Sequence, residues 1–212
     1  MKKGIVILLS LLSISCESKS KNMEQIEPSA MNVNNGKETA IFAGGCFWCT
    51  EAVFLELKGV ESVLPGYIGG TSKNPTYEEV CSGYSGHAEA IKIVFDPKTI
   101  SYGELLEVFF ATHDPTTINR QGADVGSQYR SEIFTTNASQ KTIAEDYIKL
   151  LNDENTFGKK IVTRISVAPT FYVAEDYHKN YYNQNKDKSY CSYVITPKID
   201  KVRKTFKDKI KH

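Results

Sequence analysis

The segment Ala43-Gly44-Gly45-Cys46-Phe47-Trp48-Cys49 constrains this chain more than any other. It joins Thr39 to Ala43, which reads as a strand, to Phe47 to Leu57, which reads as a helix, and leaves only two glycines for the turn. Glycine allows so sharp a reversal because it has no Cβ to clash. A strand running straight into a helix requires a domain in which helices pack on a sheet. The same turn puts Cys46 at or beside a helix N-terminus. Unpaired N–H groups and the helix dipole favour an anion there, so the thiol is expected to be acidic and nucleophilic.

Beyond the turn, strands and helices alternate. Ser62 to Ile68, His87 to Phe95, Glu132 to Thr135 and Ile161 to Ile165 read as strands; Tyr102 to Thr112, Ser139 to Leu151 and Glu175 to Tyr182 read as helices. A chain of 212 residues, 41% of them apolar, has enough material for one sizeable core. The expectation is an α+β fold, a two-layer α/β sandwich with a mixed central sheet. The segment His113 to Tyr129 has no periodicity and reads as a long loop, a feature more often functional than not. A formal net charge of +1 points to neither a nucleic-acid binder nor a protein with acidic partners.

The N-terminus reads as a separate piece. Met1-Lys2-Lys3 and the short apolar run Gly4 to Leu12 form a secretory signal, too short to span a membrane well. The run ends at Ser13-Ile14-Ser15-Cys16 and resembles a bacterial lipoprotein signal, residues 1–16, in which Cys16 becomes the lipidated first residue; an ordinary cleaved signal is the alternative. Residues 17–37 are polar and read as a flexible linker, leaving 38–212 as the domain, with a basic, amphipathic tail from Lys198 expected to pack on it as a helix. The expected location is outside the cytoplasm, membrane-anchored and facing the periplasm or cell surface.

Cys49 continues by steps of four through Val53 to Leu57, a stripe that normally faces the core. It reads as a buried small residue or, alternatively, as the second thiol of a thioredoxin-like pair. A metal site is disfavoured: the chain has no second CxxC, and His87-Ala88-Glu89 lacks the downstream PCxxC of zinc deaminases. Glu89 shares a strand face with Ile91, Ile93 and Phe95. If that face is the core, burial raises the carboxyl's pKa and makes it a proton donor. If the strand's first residue reaches water, Glu89 is ordinary.

Six blocks in order give the chain a family. They are Gly44-Gly45-Cys46-Phe47-Trp48, Gly66-Tyr67-Ile68-Gly69-Gly70, Asn74-Pro75-Thr76-Tyr77-Glu78-Glu79-Val80, Gly86-His87-Ala88-Glu89-Ala90, His113-Asp114-Pro115-Thr116 and the run Arg120 to Ser131. From about Glu38 to at least Cys191 the sequence resembles peptide methionine sulfoxide reductase A, which implies that family's ferredoxin-like-related fold. The resemblance implies reduction of the S epimer of methionine sulfoxide, free or in oxidised proteins. By that resemblance Cys46 attacks sulfur, Glu89 donates a proton, and Tyr77 and Tyr129 hydrogen-bond the oxygen. Phe47 and Trp48 take the S-methyl group, and Asp124 holds substrate or loop.

The attack leaves a sulfenic acid on Cys46, which another thiol must resolve. The family places its recycling cysteine at the position of Cys191; Cys49, where glycine is commonest, offers a second route, and Cys81 reads as structural. Thioredoxin or a similar dithiol protein is implied as the external reductant, with no bound cofactor and no metal, in a monomer. The rival readings are a thioredoxin-like disulfide oxidoreductase using Cys46 and Cys49, and a surface lipoprotein that only binds a partner.

Overall fold

The computed structural model describes residues 36–211. The expected signal segment with Cys16, the linker up to residue 35 and His212 lie outside the described residues. The chain runs β1 (Glu38–Gly44), α1 (Phe47–Leu55), β2 (Val60–Ile68), α2 (Tyr77–Cys81), β3 (Ala88–Phe95) and α3 (Tyr102–Thr112). A hairpin of β4 (Arg120–Gln121) and β5 (Asp124–Val125) follows, then β6 (Ser131–Thr135), α4 (Ala138–Asp153), β7 (Arg164–Val167), β8 (Tyr172–Val173), α5 (Tyr181–Gln184) and α6 (Thr196–Thr205).

Six strands form one sheet in the order β7-β6-β1-β3-β2-β8. β6 and β7 are parallel and every other neighbouring pair is antiparallel, so the sheet is mixed and the expected α+β class holds. Alternation divides β1 between two environments. Ala40 and Phe42 face the helices, and Phe42 meets Phe54 of α1 at 5.7 Å and Phe109 of α3 at 4.9 Å between ring centres. Ile41 and Ala43 face the other way, with Ala88, Ala90 and Phe134, against Ala168 and Phe171.

Local signals explain where the helices start. Ser101 and Glu104 form a capping box at α3, Thr76 and Glu79 form one at α2, and Asn137 caps α4 through the Gln140 N–H. The helix α2 spans five residues and is too short to show a period in the sequence.

The helix α2, the β4–β5 hairpin within the expected long loop and the strand β8 are not among the expected elements, and three expected elements have other bounds. The strand expected over Ile161 to Ile165 begins at Arg164, because the N–H groups of Ile161 and Val162 go to Asn152 Oδ1 (3.0 Å) and Pro115 O (2.8 Å) instead of to a neighbouring strand. The helix expected over Glu175 to Tyr182 is broken: Asp176–His178 is a 3-10 turn, Asn180 is left-handed at φ 50°, and α5 starts at Tyr181. Burial of Glu51, which accepts the Asn180 N–H at 2.8 Å, pulls the chain out of helix at that point. The helix of the tail ends at Thr205, after burying Ile199 and Val202, and a 3-10 turn, Lys207–Lys209, follows.

Candidate active site

The turn before α1 works because position 45 has no side chain. Gly45 lies at φ +89°, and a Cβ there would sit 2.7 Å from Cγ of Gln121. Gln121 is in turn locked to Asp114, accepting its N–H at 3.0 Å and donating to its carbonyl at 2.6 Å. The long loop is therefore packed on the turn that carries Cys46.

Cys46 is the N-cap of α1, and its side chain makes no capping hydrogen bond. The first free N–H of the helix, that of Phe47, donates to Glu89 Oε2 at 3.0 Å. Glu89 is 1% exposed, so the core reading of its strand face is the correct one. Burial raises its pKa to about 8, against the opposing Phe47 N–H, and the charges of Asp124 and Cys49 add to the rise. At neutral pH this carboxyl carries its proton.

The expectation of an acidic Cys46 needs correction. Burial, the neighbouring Cys49 and Glu89 push the Cys46 thiol up, and the helix N–H that was to favour its anion serves Glu89. Cys49 moves the other way, to about 7: a hydrogen bond from Cys46 lowers it, burial opposes, and Lys198 and Tyr190 help. Two thiols this close titrate as a pair, which holds one negative charge near neutrality and resists a second. Cys49 is thus both a buried residue at 2% exposure and a chemical partner of Cys46.

An aromatic wall stands around Cys46. Phe47 lies 5.9 Å from Tyr67, 6.5 Å from Tyr77 and 4.9 Å from His178, ring centre to ring centre. Trp48 stacks on Tyr181 at 3.7 Å and donates its indole N–H to His178 Nδ1 at 3.0 Å. His178 must therefore carry its proton on Nε2, and burial keeps it neutral. Glu175 accepts the Tyr67 hydroxyl at 2.7 Å and the Tyr77 N–H at 2.9 Å, fixing the start of α2. Tyr77 and Tyr129 are half-buried phenols. Burial raises both, for Tyr77 with a hydrogen bond to Cys81 and the charge of Glu89, and for Tyr129 with the charges of Glu89 and Cys46, so they stay neutral donors.

The C-terminal segment closes the other side. Residues Cys191–Ile195 form one turn of π-helix in which Cys191 is fully buried, packed with Cys46, Cys49, Ala52, Ile195 and Ile199. Tyr190 donates to Asp124 Oδ2 at 2.7 Å and lies 3.6 Å from Cys49 Sγ. Asp124 thus ties the β4–β5 hairpin to this segment. A groove of about 540 Å³ runs from the thiol pair to α6, with Cys46, Cys49, His113, Asp124, Tyr190 and Lys198 among its walls. Glu89, Phe47, Trp48, Tyr77 and Tyr129 are not among its walls.

The fold therefore gathers every expected site residue around the start of α1. Sequence reasoning missed Glu175, His178, Tyr181, Tyr190 and Glu51. For Tyr190 a signal existed, since it adjoins Cys191; for the others, only the fold shows what they touch. Comparison with known proteins then settles the family, because a model described as peptide methionine sulfoxide reductase matches residues 38–210. The chain belongs to that family. It is an enzyme, and its reaction is the thiol-dependent reduction of methionine sulfoxide. The peptide methionine sulfoxide reductase MsrA of Deinococcus radiodurans is 53% identical over 197 residues, 93% of each chain. That of Sulfolobus acidocaldarius is 58% identical over 172 residues, 81% of this chain and 97% of the relative. Among solved structures, reduced Mxr1 from Saccharomyces cerevisiae matches with a TM-score of 0.69 at 32% identity, over 74% of this chain and 91% of that one. Methionine sulfoxide reductase A of Corynebacterium diphtheriae matches with 0.63 at 35%, over 71% and 76%. These relatives favour the reductase over the thioredoxin-like disulfide oxidoreductase that the CxxC also allowed.

Proposed function

We propose that Cys46 attacks the sulfur of S-methionine sulfoxide, free or within an oxidised protein, while Glu89 passes its proton to the oxygen. The sulfoxide oxygen is a poor leaving group, and it gains charge as the S–O bond breaks. A protonated carboxyl beside the attacking thiol answers that need, and neutral phenols at Tyr77 and Tyr129 supply hydrogen bonds to the developing charge. Phe47 and Trp48 take the S-methyl group, with Trp48 held by His178 and Tyr181. Asp124 acts through the loop, by its bond to Tyr190. The protonated oxygen then passes from the substrate sulfur to the Cys46 sulfur as the bond first formed between the two sulfurs breaks, so methionine leaves with its sulfur reduced and Cys46 becomes a sulfenic acid.

A second thiol then condenses with Cys46, releasing water and leaving a disulfide. Cys191 and Cys49 both pack against Cys46 and both serve this reading. Two electrons from an external dithiol, thioredoxin or an equivalent, restore the thiols. The oxidised substrate is met outside the cytoplasm, by a monomer anchored through Cys16; the basic, apolar and cysteine-ended run of residues 1–16 supports that location.

The observation that carries the proposal is the buried Glu89 carboxyl on the Phe47 N–H at the head of the Cys46 helix. Glu89→Gln keeps the shape and removes the proton. Methionine release from an S-sulfoxide peptide at pH 7 should fall by roughly 10²-fold or more. In the parent, the rate should decline as pH rises through about 8, where the acid form is lost. A Glu89→Gln protein as fast as the parent would disprove the assignment.

A further inference from the structure

Among the described residues, Lys198 stands out in the groove. Its neighbour Lys201 donates to the Ala111 carbonyl at 2.7 Å, Arg203 and Lys209 reach the carboxylates of Glu56 and Glu104, Lys211 donates to the Leu55 carbonyl, and Lys204 and Lys207 are exposed to solvent. Lys198 has no hydrogen-bonding or carboxylate partner among the described residues, although it is half-buried on the first turns of α6. It shares the groove walls with Cys46 and Cys49, whereas Cys191 is buried behind them. A cation left without a carboxylate beside a thiol is placed to hold that thiol as its anion.

We infer that Lys198 is a positioning residue for the recycling step: its ammonium holds Cys49 as the thiolate that attacks the Cys46 sulfenic acid. The inference rests on the sulfenic acid of the proposed function. The charged and titratable groups around Cys49 are Cys46 on its own helix, Tyr190 and Cys191 on the C-terminal segment, Asp124 on the hairpin, Glu89 on β3 and Lys198 on α6. Of these Lys198 is the positive one; Lys201, which also lines the groove, is held by the Ala111 carbonyl. Cys46 and Cys49 are N-cap and N3 of one helix, the arrangement of a helical CxxC, which closes without moving another element. In the step, the Cys49 sulfur bonds to the Cys46 sulfur, the S–O bond breaks, and the departing hydroxide takes a proton from the groove to leave as water. The product is a Cys46–Cys49 disulfide, formed before Cys191 takes part.

The test uses the soluble domain of the parent, Lys198→Met and Lys198→Arg, fully reduced. Thiolate absorbance is titrated from pH 5 to 10, and after one equivalent of S-sulfoxide the loss of free thiols is timed at pH 7. The methionine burst should reach one equivalent in all three proteins. In Lys198→Met the first thiol midpoint should rise by roughly 0.5–1 unit, and disulfide formation should slow about 3–10-fold as the thiolate fraction drops. Lys198→Arg should restore both. Unchanged midpoints in Lys198→Met would overturn the inference, as would a Cys49→Ser protein that loses its thiols as fast as the parent. Absence of any burst in the parent would instead refute the sulfoxide chemistry, and this inference with it.

Discussion

Glu51 and Glu89 are both carboxyls that burial has pushed up, one to about 7 and the other to about 8, but only Glu89 adjoins the N-terminus of the Cys46 helix, through the Phe47 N–H. Glu51 instead accepts the Asn180 N–H and so fixes the segment that carries Tyr181 to Trp48. A carboxyl whose folded pKa lies above its unfolded value favours the folded state at low pH, and that advantage is lost as pH rises from about 4.5 through the folded value. Stability should therefore decline between about pH 4.5 and 8 from these two groups. Glu51→Gln keeps an acceptor for the Asn180 N–H and removes the charge. Its urea midpoint should match the parent at pH 4.5 and exceed it at pH 8, by an amount corresponding to about 2 kcal/mol. Equal midpoints at pH 8 would mean that Glu51 reaches water.

At the scale of the element, α1 is the organising piece. Its first turn supplies Cys46, Phe47, Trp48 and Cys49, its next supplies Glu51, and its buried side presses Phe54 onto Phe42 of β1. The helix is apolar nearly all round because it is enclosed by sheet, α6 and the C-terminal segment. Phe42 is its anchor in the sheet and is fully buried among Phe54, Tyr102 and Phe109. Phe42→Ala removes that packing and leaves a cavity, so unfolding in urea should show a loss of about 3–5 kcal/mol. A loss below about 1 kcal/mol would show that α1 can settle into the space.

The whole molecule brings together pieces far apart in sequence. The buried Arg130–Glu132 pair, 2.6 Å apart, joins the end of the long loop to β6. Arg130 also donates to the carbonyls of Gly86 and Ser127, and Ser166 of β7 donates to the other Glu132 oxygen. This knot sets Tyr129 against Cys46 from one side while Asp124 and Tyr190 close the other. Removing one member strands a buried charge. Glu132→Ala should cost about 3–5 kcal/mol in a urea titration and lower kcat/KM, because Tyr129 loses its support. Unaltered stability would mean that Arg130 is held by its carbonyls alone.

What the sequence determined by itself was whatever depends on neighbours along the chain. Gly44-Gly45 dictated the strand-to-helix turn and put Cys46 at its tip; alternation along β3 put Glu89 on one face with Ile91, Ile93 and Phe95, and the fold buried that face; Ser101 with Glu104 opened α3. The ordered motifs around Cys46, Tyr77, Glu89 and Asp124 were enough to read the chemistry. Tertiary structure decided what depends on partners far away. It decided which thiol of the Cys46–Cys49 pair is the more acidic, because that turns on burial and on Lys198 from α6. It broke the helix expected at Asn180, because the buried Glu51 needed that N–H more than the helix did. And it turned Ile161 and Val162 from strand to loop, because Asn152 and Pro115 had already taken their hydrogen bonds. Backbone propensity is local, whereas burial and charge are properties of the assembled interior.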